Sequence, residues 1–203
     1  DGALLPVNFD NIERNRMYQI ESQYQYRDQR FNVIAGGGIY QIDAKANIAM
    51  RLLPPFNPSI LCIANPAFCF NQDFNRERIN GYLYTNYNLR SNLNATIGFI
   101  YDSHHNPAGS IDYGRFNPKF GLQWDIFSNV RFRLAWFETT KSALVANQTI
   151  EPTQIAGFNQ LYDDITGTKS RRMGIGVDTH YANIVFGGVE ISRRDLEVPV
   201  VFN

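Results

Sequence analysis

Residues Arg78–Tyr101 read RINGYLYTNYNLRSNLNATIGFIY, and the alternation of side chains in this stretch predicts the fold. Apolar and polar residues alternate along both arms, on either side of the short Arg90-Ser91-Asn92 connection. Two long alternating arms around a tight turn are the pattern of a β-hairpin. Each arm is longer than the roughly five or six residues of a typical soluble strand. It matches the about 9–11 residues that a tilted strand needs to cross a bilayer.

The same reading divides the rest of the chain into further hairpins. Strands are predicted at Met17–Arg27, from Phe31 to about Asp43, in the two arms of Arg78–Tyr101, at Phe116–Ile126, at Val130–Trp136, at Arg171–Tyr181, and from the Tyr181-Ala182-Asn183 turn to about Asp195. We therefore predict an all-β fold, an antiparallel up-and-down meander of about eight long strands. It forms a transmembrane β-barrel or a segment of a larger one, with residues 1–203 as one barrel domain.

The connections between these strands alternate in length. Short turns follow the first, third, fifth and seventh strands, whereas the predicted loops Ala44–Glu77, Ser103–Gly114 and Thr139–Ser170 are long. All short turns then lie at one end of the sheet and all long loops at the other, as in outer-membrane barrels. A soluble sandwich with Greek-key connections does not require such strict alternation.

Composition agrees with this interpretation. The chain has 203 residues, and its 19 basic residues balance its 19 acidic residues, so nothing indicates a nucleic-acid partner. The longest uncharged run, Leu52–Gln72, contains four prolines and is predicted to be a loop rather than a membrane helix. The first residues, DGALLPVNFDN, lack the features of a signal peptide, so we expect that a signal was removed or that the chain is internal to a longer protein.

The period-two pattern assigns side chains to two faces. The face predicted to contact lipid carries Leu83, Ile97, Phe120, Leu122, Trp124, Phe132, Leu134, Ile175 and Val189. The residues predicted to line the lumen are Arg78, Asn80, Tyr82, Tyr84, Asn86, Lys119, Gln123, Arg131, Arg133 and Asp178. A soluble barrel would demand the reverse orientation.

Cys62 and Cys69 are the two cysteines of the chain and lie in the proline-rich loop. No histidine accompanies them there, so a metal site is not indicated and a local disulfide in an oxidising compartment is predicted. No other pattern indicates a metal or a cofactor.

One cluster could carry chemistry, and two basic pairs could bind anions. Asp102-Ser103-His104-His105 contains the residue types of a barrel-embedded hydrolase, although adjacent residues of a strand point to opposite faces. Arg171-Arg172 and Arg193-Arg194 lie where strands are predicted to meet the outer rim, where they could bind lipopolysaccharide phosphates or an anionic substrate.

The last third of the chain resembles two families of bacterial outer-membrane proteins. Residues 146–164 read ANQTIEPTQIAGFNQLYDD, and RRMGIGVDTHYANIVFGGVEISRRDLEVP follows. Ile150-Glu151-Pro152 and Gly157 resemble the Leu-x-Pro-Glu step and later glycine of TonB-dependent receptors, with Thr153 in place of the glutamate. The same stretch is similar to proteins with an N-terminal tetratricopeptide-repeat region and a C-terminal barrel. Over about Phe116–Pro199 the resemblance implies late barrel strands.

Three functions remain after these observations. The favoured one is an outer-membrane pore or receptor wall that passes or exports a solute or polymer and is not an enzyme. The alternatives are a barrel-embedded hydrolase acting on outer-leaflet lipid and a soluble all-β binding domain. The expected location is the bacterial outer membrane. The expected partners are its lipid and lipopolysaccharide, the solute, and further barrel strands or a periplasmic repeat region.

Overall fold

The computed structural model describes residues 6–55, 57, 59–65, 69–105, 112–142, 149–161, 164–182 and 184–199. The elements are β1 (Val7–Arg27), β2 (Phe31–Leu52), α1 (Ile60–Ala64), β3 (Cys69–Arg90), β4 (Leu93–His105), β5 (Tyr113–Phe127), β6 (Val130–Thr140), β7 (Gln154–Ile155), β8 (Phe158–Asn159), β9 (Lys169–Tyr181) and β10 (Val185–Glu197). Within these ranges, no helix is long and apolar enough to cross a membrane.

Eight long strands form one curled antiparallel sheet, half of a barrel, in the order β1-β2-β3-β4-β5-β6-β9-β10. Each strand pairs with its neighbour along the chain, apart from the small β7–β8 hairpin inserted between β6 and β9. The predicted all-β meander of eight strands is therefore confirmed. The alternation of polar and apolar residues located every one of these strands because it persists through most of each.

Register divides the side chains of the sheet between an inner face, defined as the one that carries β7 and β8, and an outer face. The nine residues predicted to contact lipid all lie on the outer face. Six of them are exposed, Ile97, Phe120, Trp124, Leu134, Ile175 and Val189, and the other three are half-buried. With the neighbouring outer residues they form an apolar band of about four or five alternate positions on each strand. A band of this height suits the hydrocarbon core of a bilayer.

The first three strands are longer than predicted. Residues 44–52 and 69–77 were expected to lie in a loop but continue β2 and β3, paired in register from Ala49–Cys69 to Ile39–Ile79. The predicted strand ends were wrong because the apolar residues move from the outer face to the inner face between Ile39 and Ile42. Ile39 and Ile79 are exposed on the outer face, whereas Ile42 and Ala44, a few residues later, are buried on the inner face.

This change of apolar face marks where the three strands leave the membrane. Beyond it, the cross-strand pairs on the outer face are polar, Asp43 with Asn75 and Lys45 with Asp73. Polar side chains facing outward are stable in water and costly in lipid. The parts of β1, β2 and β3 beyond this level, here called the projecting sheet, extend for ten residues of β2 (43–52), or about 33 Å at roughly 3.3 Å per residue.

The other two predicted loops are also shorter than expected, because the strands on either side of them are longer. β4 continues to His105 and β5 begins at Tyr113, while β6 continues to Thr140 and β9 begins at Lys169. The loop between β6 and β9 contains the β7–β8 hairpin, which the alternation pattern did not predict. Its two-residue turn places Ala156 and Gly157 at positive φ, 49° and 84°. This is the geometry that two-residue hairpins favour.

Candidate functional site

Residues 149–161, the internal segment, lie against the inner face of the sheet and are held there by buried polar contacts. The Tyr84 hydroxyl of β3 donates a hydrogen bond of 2.9 Å to Glu151 Oε1. Gln160 Nε2 donates to the Tyr84 hydroxyl at 3.3 Å and to the Pro152 carbonyl at 2.7 Å. One tyrosine of the sheet therefore joins both ends of the internal segment.

Lys119 of β5 is fully buried beneath the same segment. Its Nζ donates to the Glu138 carbonyl at 3.0 Å and also to Gln160 Oε1. The nearby Glu151 carboxyl is likewise buried, so a basic and an acidic side chain are removed from water together. Burial raises the pKa of the Glu151 carboxyl, although the charge of Lys119 and the hydrogen bond from Tyr84 oppose that shift.

A second group of contacts connects the segment to β1. The Ile150 amide donates to Glu21 Oε2 at 3.0 Å, and Gln23 Nε2 donates to the Ile150 carbonyl at 2.7 Å. Gln23 Nε2 also lies 3.0 Å from the Tyr82 hydroxyl. Glu21 accepts a further hydrogen bond from Tyr40 of β2. The backbone of Ile150 is thus fixed from both its donor and its acceptor side.

The hairpin tip is held by apolar packing. Ile155 and Phe158 are 0% exposed and belong to a cluster completed by residues of the inner face, Tyr82, Tyr84, Ile100, Ala135 and Phe137. Gly121 makes room for the turn, because a Cβ there would lie 2.8 Å from the Ala156 Cβ. A Cβ at Gly174 would overlap the Phe158 ring. These two glycines allow the segment to approach the sheet closely.

Charged pairs extend along the inner face next to this cluster. Arg133 binds Asp178 through two hydrogen bonds, 2.6 and 3.0 Å long, and its guanidinium lies 4.8 Å from the centre of the Phe158 ring. Arg172 donates to Glu190 at 2.8 Å and to the Asn159 carbonyl at 2.9 Å. Arg133 and Arg172 therefore each bind a carboxylate of the sheet and also contact a residue of β8.

A further polar group lies toward the long-loop end of β3 and β4. Arg78 makes a bidentate contact with Asp102, with distances from 2.7 to 3.1 Å, and Ser142 Oγ donates to Asp102 at 3.2 Å. Asn80 and His104 occupy adjacent positions of the inner face and are also buried. Within the described residues, Arg78 Nη1, both side-chain polar atoms of Asn80 and His104 Nδ1 make no hydrogen bond.

All ten residues predicted to line the lumen lie on the inner face by register. Tyr84, Lys119 and Arg133 contact the internal segment directly through their polar groups, and Tyr82 packs against its Ile155 and Phe158. Arg78 and Asn80 are buried, Asn86, Gln123 and Asp178 are half-buried, and Arg131 is exposed near the turn that connects β5 to β6. Arg131 binds Asp125 there at 2.6 Å.

The residues considered for hydrolysis do not assemble a catalytic site. Ser103 lies on the outer face, whereas Asp102 and His104 lie on the inner face, where Asp102 binds Arg78. His105 is exposed and contacts Asp112 at 3.0 Å. Among the described residues, Ser103 forms no hydrogen bond with either histidine, so a nucleophile next to its base is missing.

The basic pairs divide between the two faces. Arg172 and Arg194 point inward, where Arg194 binds Asp164 and Ser170. Arg171 and Arg193 point outward and pair with Glu138 at 2.8 Å and with Asp195 at 3.0 Å. Every cation of these pairs already has a carboxylate partner within the protein.

The predicted disulfide is confirmed. Cys62 of α1 and Cys69 at the start of β3 are bonded, with their Cα atoms 5.2 Å apart. The bond lies at the far end of the projecting sheet, on the side of the long loops.

Comparison with known proteins decides the family. The TonB-dependent receptor-like β-barrel family matches residues 2–187. The chain belongs to this family. A search of curated proteins finds no match.

Solved structures of outer-membrane receptors share the fold at low identity. The ferripyoverdine receptor of Pseudomonas aeruginosa is 12% identical with a TM-score of 0.56, and the comparison covers 87% of this chain and 24% of the receptor. The alcaligin receptor of Bordetella pertussis is 14% identical with a TM-score of 0.51, covering 93% and 30%. The ferric-catecholate import receptor Fiu of E. coli is 13% identical with a TM-score of 0.55, covering 93% and 32%.

Family and fold together place this sheet in the bacterial outer membrane as part of the wall of a receptor-type barrel. The chain spans about a quarter to a third of the length of the receptors it matches. The predicted resemblance to TonB-dependent receptors is confirmed.

Several residues that hold the internal segment were not among the predicted site residues, notably Glu21, Tyr40, Glu151 and Gln160. Glu21 lay on the polar side of the first predicted strand, so its inward direction could have been anticipated. Glu151 and Gln160 occur in a stretch without long alternation, and only the resemblance of Ile150-Glu151-Pro152 to a receptor motif singled out that stretch.

Proposed function

We propose that this chain is a wall segment of an outer-membrane pore or receptor, and that its inner face passes or exports a polar solute or polymer. The barrel is completed by further strands, and a periplasmic repeat region or another domain of the full-length protein accompanies it. In this proposal the inner face, which carries the ten residues predicted to line the lumen, encloses the passage, and the less buried of them, Asn86, Gln123, Arg131 and Asp178, contact the solute. Outer-membrane lipid and lipopolysaccharide contact the apolar band.

The observation that carries the proposal is the position of the internal segment, which occupies the inner face at mid-height. It is anchored by Tyr84, Lys119 and Gln23 on three different strands. A segment at this place narrows the passage that the curled sheet encloses. We infer that it sets the size of solute that passes.

Accessible polar side chains of the inner face support contact with a polar solute. Asn86, Gln123 and Asp178 are half-buried and Arg131 is exposed. In this proposal a hydroxyl-rich or anionic solute forms hydrogen bonds with these side chains as it passes.

The test compares the conductance of the full-length protein when the β7–β8 hairpin is packed against the inner face and when it is released. Ile155→Asp combined with Phe158→Asp places two carboxylates in an apolar cluster, which costs several kcal/mol and releases the hairpin. Gln154→Asp is the matched control, since Gln154 is exposed in the same hairpin. In planar bilayers we expect larger single-channel conductance for the double variant and wild-type conductance for the control.

The same variants can be assayed in a Gram-negative host by sensitivity to a large hydrophilic antibiotic. Greater sensitivity of the double variant at equal surface abundance supports the proposal. Unchanged conductance and sensitivity, with the protein correctly inserted, would show that the internal segment does not limit a passage.

A further inference from the structure

Lys119 and Gln160 meet in a part of the inner face from which water is excluded. Lys119 of β5 is fully buried, and Gln160, near the end of the internal segment, is buried next to it. The Lys119 Nζ lies 5.9 Å from the centre of the Phe137 ring, which belongs to the same apolar cluster as Phe158. A side-chain amine and a side-chain amide, 41 residues apart in the chain, are thus enclosed together.

The contacts of Lys119 differ from those of the arginines on the same face. Three arginines bind carboxylates of the sheet: Arg78 binds Asp102, Arg133 binds Asp178 and Arg172 binds Glu190. Lys119 Nζ instead donates to Gln160 Oε1 and to the Glu138 carbonyl, and neither of these acceptors is charged. A lysine amine that has lost a proton is a nucleophile, whereas a guanidinium stays protonated.

The amine of Lys119 lies next to the carbonyl carbon of Gln160. Nζ contacts Oε1, and Cδ is bonded to that oxygen at about 1.2 Å. The last side-chain torsion of glutamine is broad, so rotation of the amide can turn the face of Cδ toward Nζ. Groups held together in this way react with effective concentrations of about 10⁵–10⁸ M when they are well oriented.

Tyr84 and Glu151 form a path for a proton to the nitrogen of the same amide. Gln160 Nε2 lies 3.3 Å from the Tyr84 hydroxyl, which lies 2.9 Å from Glu151 Oε1. Glu151 is close enough to Lys119 for their charges to interact. Transfer of a proton from Lys119 to Glu151 makes both side chains neutral and so removes two buried charges. It also frees the amine and places a proton two hydrogen bonds from Nε2.

We propose that Lys119 and Gln160 form an intramolecular isopeptide bond when the barrel folds. The lone pair of Nζ attacks Cδ, the Nζ–Cδ bond forms, and the electron pair of the Cδ–Nε2 bond leaves with Nε2. A proton from Glu151, passed through the Tyr84 hydroxyl, completes the leaving ammonia, and the proton lost by Nζ restores the acid form of Glu151. The products are one secondary amide and one ammonia, and nothing is oxidised or reduced.

This bond would attach the end of the internal segment covalently to β5. It goes beyond the proposed passage of a solute, because its formation depends only on the packing of Lys119, Gln160 and their neighbours. Conductance and cross-linking can therefore succeed or fail separately.

The experiment measures the intact mass of the full-length protein before and after folding. Chains dissolved unfolded from inclusion bodies should have the mass expected from their sequence. After refolding into detergent micelles, the protein should be lighter by about 17 Da, the mass of ammonia. Proteolysis should then release one branched peptide that joins residue 119 to residue 160.

Three variants assign the reaction to these side chains. Lys119→Met removes the amine and should abolish the loss of mass, whereas Lys45→Met, the matched control at an exposed lysine, should keep it. Glu151→Gln keeps an acceptor for the Tyr84 hydroxyl but cannot supply the proton, so the loss of mass should be slower by about 100-fold or more. Limited proteolysis checks that the internal segment of this variant stays packed.

The outcomes separate the proposal from its alternatives. Folded wild-type protein that keeps its full mass would overturn it. A loss of about 17 Da that occurs before folding, or that persists in Lys119→Met, would assign the change to another site and also overturn it. Loss of mass at the wild-type rate in Glu151→Gln would overturn the role of Glu151 as the proton donor.

Discussion

The Tyr84 hydroxyl lies 2.9 Å from Glu151 Oε1 and joins the centre of β3 to a segment 67 residues later in the chain. This contact closes a long loop onto the inner face of a membrane-type sheet. It is buried, so it is stronger than a comparable contact in water. The position of the internal segment therefore depends on a small number of side chains that can be changed one at a time.

Replacing Tyr84 by phenylalanine should loosen the internal segment without unfolding the sheet. The buried Glu151 carboxylate loses a donor, which costs about 1–3 kcal/mol. Hydrogen–deuterium exchange of residues 149–161 in the full-length protein should become faster by one to two orders of magnitude. Tyr101→Phe is the control, because Tyr101 is exposed on the outer face. Equal exchange in wild type and Tyr84→Phe would show that this hydrogen bond does not hold the segment.

The anchoring should also depend on pH through Glu151. Its carboxyl has a pKa raised above the ordinary value of 4.5 because it is buried. The neutral form of Glu151 is thus favoured when the internal segment is packed against the sheet. Its contribution to the stability of that packed state is full below pH 4.5 and is lost as the pH rises through the raised pKa. The opening free energy of residues 149–161, corrected for intrinsic exchange, should fall over that range. Glu151→Gln should abolish this pH dependence. If the opening free energy of that variant still falls with pH as in wild type, another group causes the dependence.

Gly174 should tolerate no side chain, whereas Gly81 should accept one. A Cβ at Gly174 meets the Phe158 ring, so Gly174→Val displaces the hairpin from its apolar cluster. Gly81 lies on the outer face, and the nearest atom to a Cβ there is 4.0 Å away. We expect protease cleavage within residues 149–161 for Gly174→Val and none for Gly81→Val. Cleavage of both variants, or of neither, would contradict the packing described for Phe158.

The disulfide should stabilise the far end of the projecting sheet and not the barrel. A bond between Cys62 and Cys69 closes a short loop, for which chain entropy predicts about 2–3 kcal/mol. Cys62→Ser with Cys69→Ser should increase proteolysis between β2 and β3 while leaving membrane insertion unchanged. A failure of the double variant to insert would mean that the bond is needed for assembly.

The alternation of side chains predicted the sheet well because one physical rule, apolar residues toward lipid, holds along most of each strand. It failed where that rule changes. At Asp43 and Lys45 the outer face becomes polar, and this was interpreted as the end of a strand although pairing continues. The β7–β8 hairpin was missed because it pairs only Gln154–Asn159 and Ile155–Phe158, too few residues for a periodic signal. Its burial depends on contacts with distant strands that no local pattern reports.

One adjacent pair of residues tests most directly which face of the sheet contacts lipid. Leu122 lies on the outer face of β5 and Gln123 on the inner face. A charge facing the centre of the bilayer costs about 2–4 kcal/mol, whereas a charge facing the lumen does not. The measurement is the amount of full-length protein assembled in the outer membrane, scored by heat-modifiable migration. We expect Leu122→Arg to reduce assembly greatly and Gln123→Arg to assemble like wild type. Normal assembly of Leu122→Arg with loss of Gln123→Arg would contradict the contact of the outer face with lipid.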